Sequence, residues 1–195
     1  MKRIFDLFFS IVFIILLSPF FLLFSLLIVI DSPGSVFYRQ QRVGKDGKDF
    51  FLIKFRTMRA GADRSSLLTI GSRDQRITRV GYFLRKYKLD ELPQLFNIIC
   101  GEMSIVGPRP EVRKYAALYN TEQLKVLSVL PGLTDYASLK YINESDMLSQ
   151  SNDPEALYLN EIMPAKLKLN LQYIDERNFM TDLKIILMTI KRILF

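Results

Sequence analysis

Two adjacent carboxylates, Asp90 and Glu91, are the side chains of this sequence best suited to chemistry. They lie just before Pro93, and the segment that precedes them is rich in lysine and arginine. A carboxylate can act as a nucleophile or as a metal ligand, and nearby cations attract phosphate groups. The pattern therefore indicates an anionic reaction centre inside a phosphate-binding surface.

The position of Asp90 also has an ordinary structural explanation. Asp90 is a natural N-cap for a helix that runs to about residue 99, and Glu91 and Pro93 suit the first turn of that helix. The same helix start would present free N–H groups to a phosphate and would favour an ionised carboxylate. The sequence thus predicts a cap that can also serve as nucleophile or metal ligand.

Two further segments place cations where they could meet a phosphate. Arg109 stands between Pro108 and Pro110, which restrict the backbone, so its planar guanidinium is held at low entropic cost. Lys54 and Arg56 share one face of a predicted strand. The simpler interpretations, a surface arginine in a turn and a solvated sheet face, stay open.

The composition narrows the possible chemistry. The 195-residue chain has no histidine, which excludes serine–histidine and cysteine–histidine catalysis and histidine metal sites. Oxygen ligands alone favour magnesium, manganese or calcium. The formal charge of +7 favours anionic partners such as phosphorylated substrates, lipid headgroups or nucleic acid. Cys100, the only cysteine, lies in an apolar run and is expected to be a buried, unreactive thiol.

An uncharged, apolar run covers residues 7–30, and as a helix at about 1.5 Å per residue it could span a membrane. A cleaved signal peptide fits poorly, because the run is too long and lacks a clean cleavage site. A spanning anchor and a re-entrant helix kinked at Ser18 and Pro19 both fit. Proline removes a backbone hydrogen bond there, and the Ser18 hydroxyl could bond the freed carbonyl. Basic residues on both flanks suit the re-entrant form, but from the residues alone the two are level.

The rest of the pattern predicts a mixed α/β (α+β) domain. Residues 36–43 and 50–57 read as strands of a hairpin, residues 60–75 as a loop with at most a short helix, and residues 133–150 show no clean period. An amphipathic helix is predicted with Val80, Phe83, Leu84 and Tyr87 on its apolar face, followed by a strand over residues 103–106 and helices over residues 111–119, 121–130 and 154–177. The C-terminal helix is basic and amphipathic, which suits a membrane interface or, alternatively, a position in the core.

These residues together resemble the bacterial sugar transferase family of monotopic phosphoglycosyl transferases over nearly the whole chain. Each motif alone is weak, but their order and spacing are specific. The matching residues are Ser18-Pro19, Phe37-Tyr38-Arg39-Gln40 with Arg42-Val43-Gly44, Lys54-Phe55-Arg56-Thr57-Met58, Arg85, Leu89-Asp90-Glu91-Leu92-Pro93-Gln94-Leu95-Phe96-Asn97, Gly101-Glu102-Met103-Ser104, Gly107-Pro108-Arg109-Pro110, Pro131-Gly132-Leu133-Thr134 and Asp182-Leu183-Lys184-Ile185.

The resemblance implies an enzyme that moves a phospho-sugar from a UDP-sugar to undecaprenyl phosphate, the first membrane step of bacterial glycoconjugate or polysaccharide assembly. It implies a re-entrant membrane helix over residues 1–31, hinged at Ser18 and Pro19, which would decide between the two membrane forms. Residues 32–195 would form one compact catalytic domain on the cytoplasmic face of the bacterial inner membrane. Membrane lipid would be a partner and nucleic acid would not. The chain would be the small, catalytic-core form of the family.

The resemblance also implies roles for individual residues. Asp90 would attack the β-phosphate, release UMP and carry the phospho-sugar as a covalent aspartyl intermediate. Glu91 would assist, as a base or through metal or hydrogen-bond contacts. Mg²⁺, with Mn²⁺ as an alternative, would be the cofactor, and Asp90 would be its ligand. The side chains implied to bind phosphate or substrate are Lys54, Arg85, Gln94, Asn97 and Arg109.

One segment departs from the family pattern. Residues 135–141 lack the glycine and the glycine–arginine pair that are usual there, and the sequence differs through residue 164. Because this region is thought to shape the donor site, its departure leaves the identity of the donor sugar open. It does not affect the reaction class that the resemblance implies. Two other functions would also use a basic, membrane-directed surface. One is a tethered protein that binds anionic lipid or nucleic acid without turnover, and the other is a lipid-phosphate hydrolase.

Overall fold

A computed structural model describes residues 2–59, 61, 68, 71 and 74–194. The described chain mixes helices with short strands, as predicted, and the predicted loop over residues 60–75 lies mostly outside it. The elements are α1 (Lys2–Asp31), β1 (Phe37–Val43), β2 (Asp49–Phe55), α2 (Arg79–Lys86), α3 (Gln94–Cys100), β3 (Ser104–Val106), α4 (Arg113–Ala116), β4 (Gly132–Thr134), α5 (Tyr136–Lys140), α6 (Glu144–Ser149), α7 (Pro154–Leu157), α8 (Met163–Glu176) and α9 (Phe179–Leu194).

Helix α1 is apolar along most of its length and continues through Pro19. Proline has no N–H, so the carbonyl of Ile15, four residues earlier, loses its helical partner. The Ser18 hydroxyl donates to that carbonyl at 2.8 Å, which confirms the predicted compensation. Among the described residues, α1 is long and apolar enough to cross a membrane, and only 17% of its most apolar stretch is buried within the protein. A membrane would cover the apolar surface that remains.

The N-terminal end of α1 is held by the rest of the chain. The Lys2 ammonium donates to the Asp182 carboxylate at the start of α9. The Arg3 guanidinium donates to the carbonyl of Ile98 at 2.6 Å, near the end of α3. The Asp6 carboxylate is buried and accepts from the Ser104 hydroxyl at 2.8 Å. Three charged side chains thus dock the first turns of α1 on α3, β3 and α9.

The C-terminal end of α1 is held by the same body. The Asp31 carboxylate accepts from the backbone N–H of Val80 at 2.8 Å, at the start of α2. The guanidinium of Arg56 donates to the carbonyls of Ser32 and of Pro33, the latter at 2.8 Å. Arg56 lies beyond the end of β2 and ties down the chain that leaves α1, so of the two cations expected to share a strand face only Lys54 lies on the strand.

The predicted hairpin is confirmed. Strands β1 and β2 pair antiparallel, from Phe37 opposite Phe55 to Val43 opposite Asp49. A 3₁₀ turn (Lys45–Gly47) joins them, and two of its residues adopt the left-handed conformation that tight turns need. On β2, the side chains of Phe50 and Leu52 pack against α3. Because side chains alternate along a strand, Lys54 lies on this same face, toward the segment that precedes α3.

Strands β3 and β4 form a second, parallel pair, with Ser104 opposite Gly132 and Val106 opposite Thr134. The short β4 was not predicted, because three residues are too few to show a period. A Cβ atom on Gly132 would lie 2.1 Å from the backbone nitrogen of Gly107, so only glycine allows this approach. The segment that carries Arg109 is thereby fixed beside β4.

The predicted helices between residues 111 and 177 are confirmed only in part. Helix α4 is a single turn, and residues Gln123–Ser128 form a 3₁₀ segment in place of the α-helix predicted over residues 121–130. The helix predicted over residues 154–177 is confirmed, since α7 and α8 are joined through a π-helical turn (Tyr158–Ile162). These segments share a core that consists of Val112, Tyr115, Val126, Leu148, Tyr158, Ile162, Met163 and Leu167.

Several apolar side chains on α2 and α9 face outward. On α2, Leu84 is fully buried, but Phe83 and Tyr87 are 49% and 41% exposed, although their spacing predicted a buried face. On α9, Ile185 is buried while Leu187 and Ile190 are exposed. The predicted apolar face of the C-terminal helix is therefore only partly buried in the core.

Cys100 is exposed, so the prediction of a buried thiol is wrong. It is the last residue of α3, and Gly101 ends that helix in the left-handed conformation at φ 87°. The apolar run that suggested burial stops one residue earlier, at the turn.

Candidate active site

Asp90 lies in a short connection between two helices. Lys88 adopts the left-handed conformation (φ 55°), a 3₁₀ turn (Leu89–Glu91) follows, and α3 begins only at Gln94. The N-cap position of α3 is Pro93, so the predicted capping role of Asp90 is wrong. The carboxylate is 7% exposed, and its Oδ1 has no hydrogen-bond partner among the residues that the structure describes. A buried carboxylate oxygen that has no structural bond is available to a ligand.

The electrostatic setting of Asp90 also differs from the expectation of a helix start. Burial raises the pKa of the Asp90 carboxyl, and the neighbouring charge of Glu91 raises it further. Lys54 and Arg85 act in the opposite direction but do not reverse the shift. The ionised form of Asp90 is therefore less favoured here than in water.

Glu91 is held by two cations. The Arg109 guanidinium donates to both carboxylate oxygens of Glu91, to Oε2 at 2.9 Å. The Lys54 ammonium lies 3.3 Å from Oε1. Burial alone would raise the pKa of Glu91, but the charges of Arg109 and Lys54 outweigh it and hold this pKa well below its usual range. Glu91 is thus poorly suited to act as a base and well suited to hold cations.

Lys54 reaches this centre from β2. Burial lowers the pKa of its ammonium to about 8, although the attraction of Glu91 opposes the shift. A buried ammonium that loses its proton near neutral pH is sensitive to any further negative charge beside it. The sequence predicted Lys54 as part of a cationic surface, and the structure places it beside Glu91.

Asp135 positions the backbone of Arg109 through a hydrogen bond. Its carboxylate is fully buried, and its Oδ2 accepts from the backbone N–H of Arg109 at 3.0 Å. Its Oδ1 accepts from the N–H of Ser138, so Asp135 is also the N-cap of α5. The sequence analysis did not assign Asp135 to the site. The available signal was that Asp135 begins the segment that departs from the family pattern.

Two more arginines border the site. The Arg85 Nε donates to the hydroxyl of Thr57 at 2.8 Å, and burial lowers the pKa of Arg85. Arg42, which was noted only as part of a motif, donates to the carbonyl of Pro110 at 3.0 Å. Together with Lys54 and Arg109, these side chains surround the two carboxylates with positive charge.

Gln94 and Asn97 are not brought into this group. The Asn97 amide accepts from the N–H of Ile53 at 3.0 Å and donates to the carbonyl of Phe51 at 2.8 Å and to Glu102 at 2.6 Å. Its amide is thus occupied in attaching α3 to β2. Gln94 is completely buried, and neither side chain belongs to the lining of the cleft described next. Their predicted binding roles lack support from this geometry.

A central cleft of about 1270 Å³ opens over the carboxylates. Asp90 and Glu91 line it, together with the cations Arg42, Lys54, Arg85 and Arg109 and several further lysines and arginines. It also extends to Phe13 and Leu17 of α1 and to Ile190 of α9. One cavity therefore joins a charged reaction centre to the apolar N-terminal helix.

The oxygen atoms at this centre bear on the implied magnesium ion. Mg²⁺ takes oxygen ligands, often one or two carboxylates together with substrate phosphates. Within the described ranges, no group of three or more acidic or cysteine side chains converges. Asp90 offers an unpartnered oxygen, whereas Arg109 and Lys54 occupy Glu91. The residues fit an ion whose other ligands come from a substrate, and the cofactor stays a prediction.

Comparison with known proteins adds independent information. The model of the bacterial sugar transferase family matches residues 1–195. A UDP-glucose:undecaprenyl-phosphate glucose-1-phosphate transferase of Xanthomonas campestris pv. campestris is 37% identical over 186 residues, which cover 91% of this chain and 35% of the relative. A UDP-N-acetylgalactosamine-undecaprenyl-phosphate N-acetylgalactosaminephosphotransferase of Aeromonas hydrophila is 33% identical over 196 residues, which cover 99% of this chain and 43% of the relative.

A shorter relative is the exopolysaccharide production protein ExoY of Rhizobium meliloti (strain 1021). It is 43% identical over 148 residues, which cover 68% of this chain and 66% of the relative. The chain thus spans less than half of the length of the two longer relatives.

Proposed function

Because this chain belongs to the bacterial sugar transferase family, we propose that it transfers a phospho-sugar from a UDP-sugar to undecaprenyl phosphate. Relatives named for this reaction use glucose or N-acetylgalactosamine donors. The observation that carries the proposal is the buried oxygen of Asp90, which has no partner among the described residues and lies in a cleft lined by several cations, Lys54, Arg85 and Arg109 among them. Such a cleft suits a diphosphate, whose negative charge the cations offset.

The proposed reaction has two displacement steps at one phosphorus atom. The Asp90 carboxylate attacks the β-phosphorus of the UDP-sugar, and the bond from that phosphorus to the bridging oxygen breaks and releases UMP. The sugar stays on the phosphoryl group, which is now bonded to Asp90. A phosphate oxygen of undecaprenyl phosphate then attacks the same phosphorus, the bond to Asp90 breaks, and the carboxylate is restored.

The cations supply binding and charge stabilisation in both steps. Arg109 is oriented by Glu91 and Asp135, and Lys54 by Glu91, so their positions are set before substrate arrives. Arg85 contributes positive charge on the side of Asp90. We propose that Mg²⁺, or Mn²⁺, is held by Asp90 and the donor phosphates, where it would neutralise charge on the diphosphate. Its presence would also counter the unfavourable burial of the ionised carboxylate.

We infer the membrane arrangement from the two ends of α1. Lys2 and Arg3 at one end, and Asp31 at the other, all contact the same domain. A helix that crossed the bilayer would place its ends on opposite sides, so this docking supports a re-entrant helix. We place the domain on the cytoplasmic face of the inner membrane, with the exposed apolar residues of α9 at the interface. The lipid acceptor would then enter the central cleft past Phe13 and Leu17.

Isotope exchange tests the covalent step. With purified chain in nanodiscs, Mg²⁺ and no acceptor, labelled UMP should exchange into UDP-sugar, because the first step is reversible and complete in itself. Mass spectrometry of the intact chain should show a phospho-sugar adduct. An absence of exchange, with turnover only when undecaprenyl phosphate is added, would contradict the aspartyl intermediate. Release of inorganic phosphate would indicate the hydrolase instead, and salt-sensitive binding without turnover the tethered binding protein.

Cysteine labelling tests the topology. With Cys100→Ser as background, Ile4→Cys near the N-terminus and Lys48→Cys in the exposed hairpin place thiols beside the two basic flanks of α1. Both should react with an impermeant reagent in inside-out vesicles, and neither in right-side-out vesicles. Labelling of residue 4 alone in right-side-out vesicles would restore the spanning anchor.

A further inference from the structure

Two uncharged polar side chains line the central cleft without partners. The Oγ of Ser138 and the Oδ1 of Asn170 are buried, and in the described part of the chain neither forms a hydrogen bond. Asn170 is 5% exposed. A buried carbonyl oxygen that stays unpaired is costly, so a residue of this kind on a cleft wall indicates a group that the free protein lacks.

The two side chains come from neighbouring helices. Ser138 belongs to α5 and Asn170 to α8, and these helices pack against each other. Among the other described side chains with a buried, unpartnered polar atom, Ser10 and Gln94 do not line the cleft, whereas the charged Arg56 and Asp90 do. Ser138 and Asn170 are therefore the uncharged members of this set on the cleft wall.

Their place relative to the reaction centre indicates which part of the donor they meet. Asp135 accepts from the N–H groups of both Arg109 and Ser138, so the backbones of these two residues meet at one carboxylate. Arg109 in turn holds Glu91, the residue next to Asp90. The sugar is bonded directly to the phosphorus that Asp90 would attack. The uracil is farther away, beyond a second phosphate and the ribose.

The chemistry of the pair also suits a sugar. A hydroxyl can donate and accept, and an amide offers both a carbonyl oxygen and an N–H₂ group. Neither carries charge, so phosphate would find its partners in the cations of the cleft instead. We propose that Ser138 and Asn170 hydrogen-bond the sugar of the donor and set which sugar the enzyme accepts. This assignment rests on the proposed function and deepens it.

The test compares full-length chains in nanodiscs with undecaprenyl phosphate and four donors: UDP-glucose, UDP-galactose and their two N-acetylhexosamine counterparts. Asn170→Leu should lower kcat/KM for the preferred donor by about tenfold, and Ser138→Ala by a few-fold. Both should reduce the preference among the donors, because a group that discriminates between sugars has been removed. The matched controls Asn160→Leu and Ser128→Ala are exposed, lie outside the cleft lining and should leave these ratios unchanged.

Stability gives a second readout. Asn170→Leu should not lower the unfolding temperature, because the Oδ1 that it removes forms no hydrogen bond within the described residues. Should Asn170→Leu fail to fold, Ser138→Ala, which removes a single oxygen atom, still decides. Unchanged ratios, or an equal loss with all four donors, would overturn the assignment while leaving the proposed function intact. If the unaltered chain released no nucleotide from any donor, the proposed function would fall and the assignment with it.

Discussion

Arg109 forms a two-point ion pair with Glu91, the residue that follows Asp90, and one oxygen of Asp90 is left without a hydrogen-bond partner in the described structure. Two adjacent carboxylates are thereby given opposite properties. Cations hold the pKa of Glu91 well below its usual range, whereas burial raises the pKa of Asp90. The first is suited to organise cations and the second to react. This division of roles leads to the predictions that follow.

Asp90→Asn should abolish isotope exchange and yet stabilise the fold. The folded-state pKa of Asp90 is raised above its unfolded value. Protonation of this carboxyl therefore stabilises the fold below the unfolded pKa, and that stabilisation is lost as the pH rises through the folded-state pKa. At neutral pH an ionised, buried carboxylate opposes folding, and asparagine removes that charge. We expect a gain of about 1 kcal/mol, or roughly 2–4 °C in Tm, measured by thermal unfolding in detergent.

The gain from Asp90→Asn should diminish as the pH falls through the raised pKa of Asp90, because the native carboxyl is then itself protonated. Asp175→Asn, at an exposed position, is the matched control and should change neither activity nor Tm. A lower Tm for Asp90→Asn at neutral pH, or retained exchange, would contradict the assignment.

Glu91→Gln should damage both stability and activity. It leaves the Arg109 and Lys54 cations without their shared counter-charge in a mostly buried setting, and breaking such a pair costs about 3 kcal/mol. The displaced cations should lower kcat by about 100-fold, since positioning of the phosphate is lost. Denaturant unfolding and nucleotide release measure the two effects.

Glu155→Gln provides the comparison for Glu91→Gln. The Lys114–Glu155 pair lies at the surface, with side chains 56% and 49% exposed, so its loss should have no measurable effect on either property. An equal response of the two variants would show that the Glu91 cluster is not a special arrangement.

The dependence of kcat/KM on pH should be bell-shaped. On the acid side, activity falls as Asp90 takes up a proton, at a pH above the usual range of an aspartate, because burial raises its pKa. On the alkaline side, activity falls as Lys54 loses its proton, with a pKa of about 8 in the free enzyme. Nucleotide release at low donor concentration from pH 5 to 10 measures both limbs.

Lys54→Arg identifies the group behind the alkaline limb. Arginine keeps its charge throughout this range, so the limb should move upward by more than one pH unit even if the maximal rate falls. A limb that stays near pH 8 in this variant would assign it to another group.

A double-mutant cycle tests the compensation at Pro19. Ser18→Ala should cost about 1 kcal/mol, because the Ile15 carbonyl then has no partner in an apolar setting. In a Pro19→Ala background the same change should cost almost nothing, since residue 19 then supplies the N–H. Thermal unfolding in detergent gives both values, and equal costs would refute the coupling.

Several features could be predicted from sequence because they depend on near neighbours in the chain. The Ser18 bond to Ile15, the hairpin turn at Lys45–Gly47 and the helical nature of α8 are set by local geometry and spacing. The predicted helix start at Asp90 is wrong, because the left-handed Lys88 and the packing of α3 on β2 override the capping preference of an isolated aspartate. The expectation that the aromatic residues on α2 are buried is wrong for a related reason. Their spacing reveals an apolar face but not what covers it.

The sequence by itself singled out the adjacent carboxylates, the lack of histidine ligands and the apolar helix, because composition and local order are enough for these. Only the tertiary structure decided which carboxylate the cations bind. Lys54, Arg109 and Asp135 come from segments far apart in the chain, and their contacts arise where β2, the segment after β3 and the start of α5 meet. Distances between such segments depend on the packing of the whole core, which no local pattern encodes.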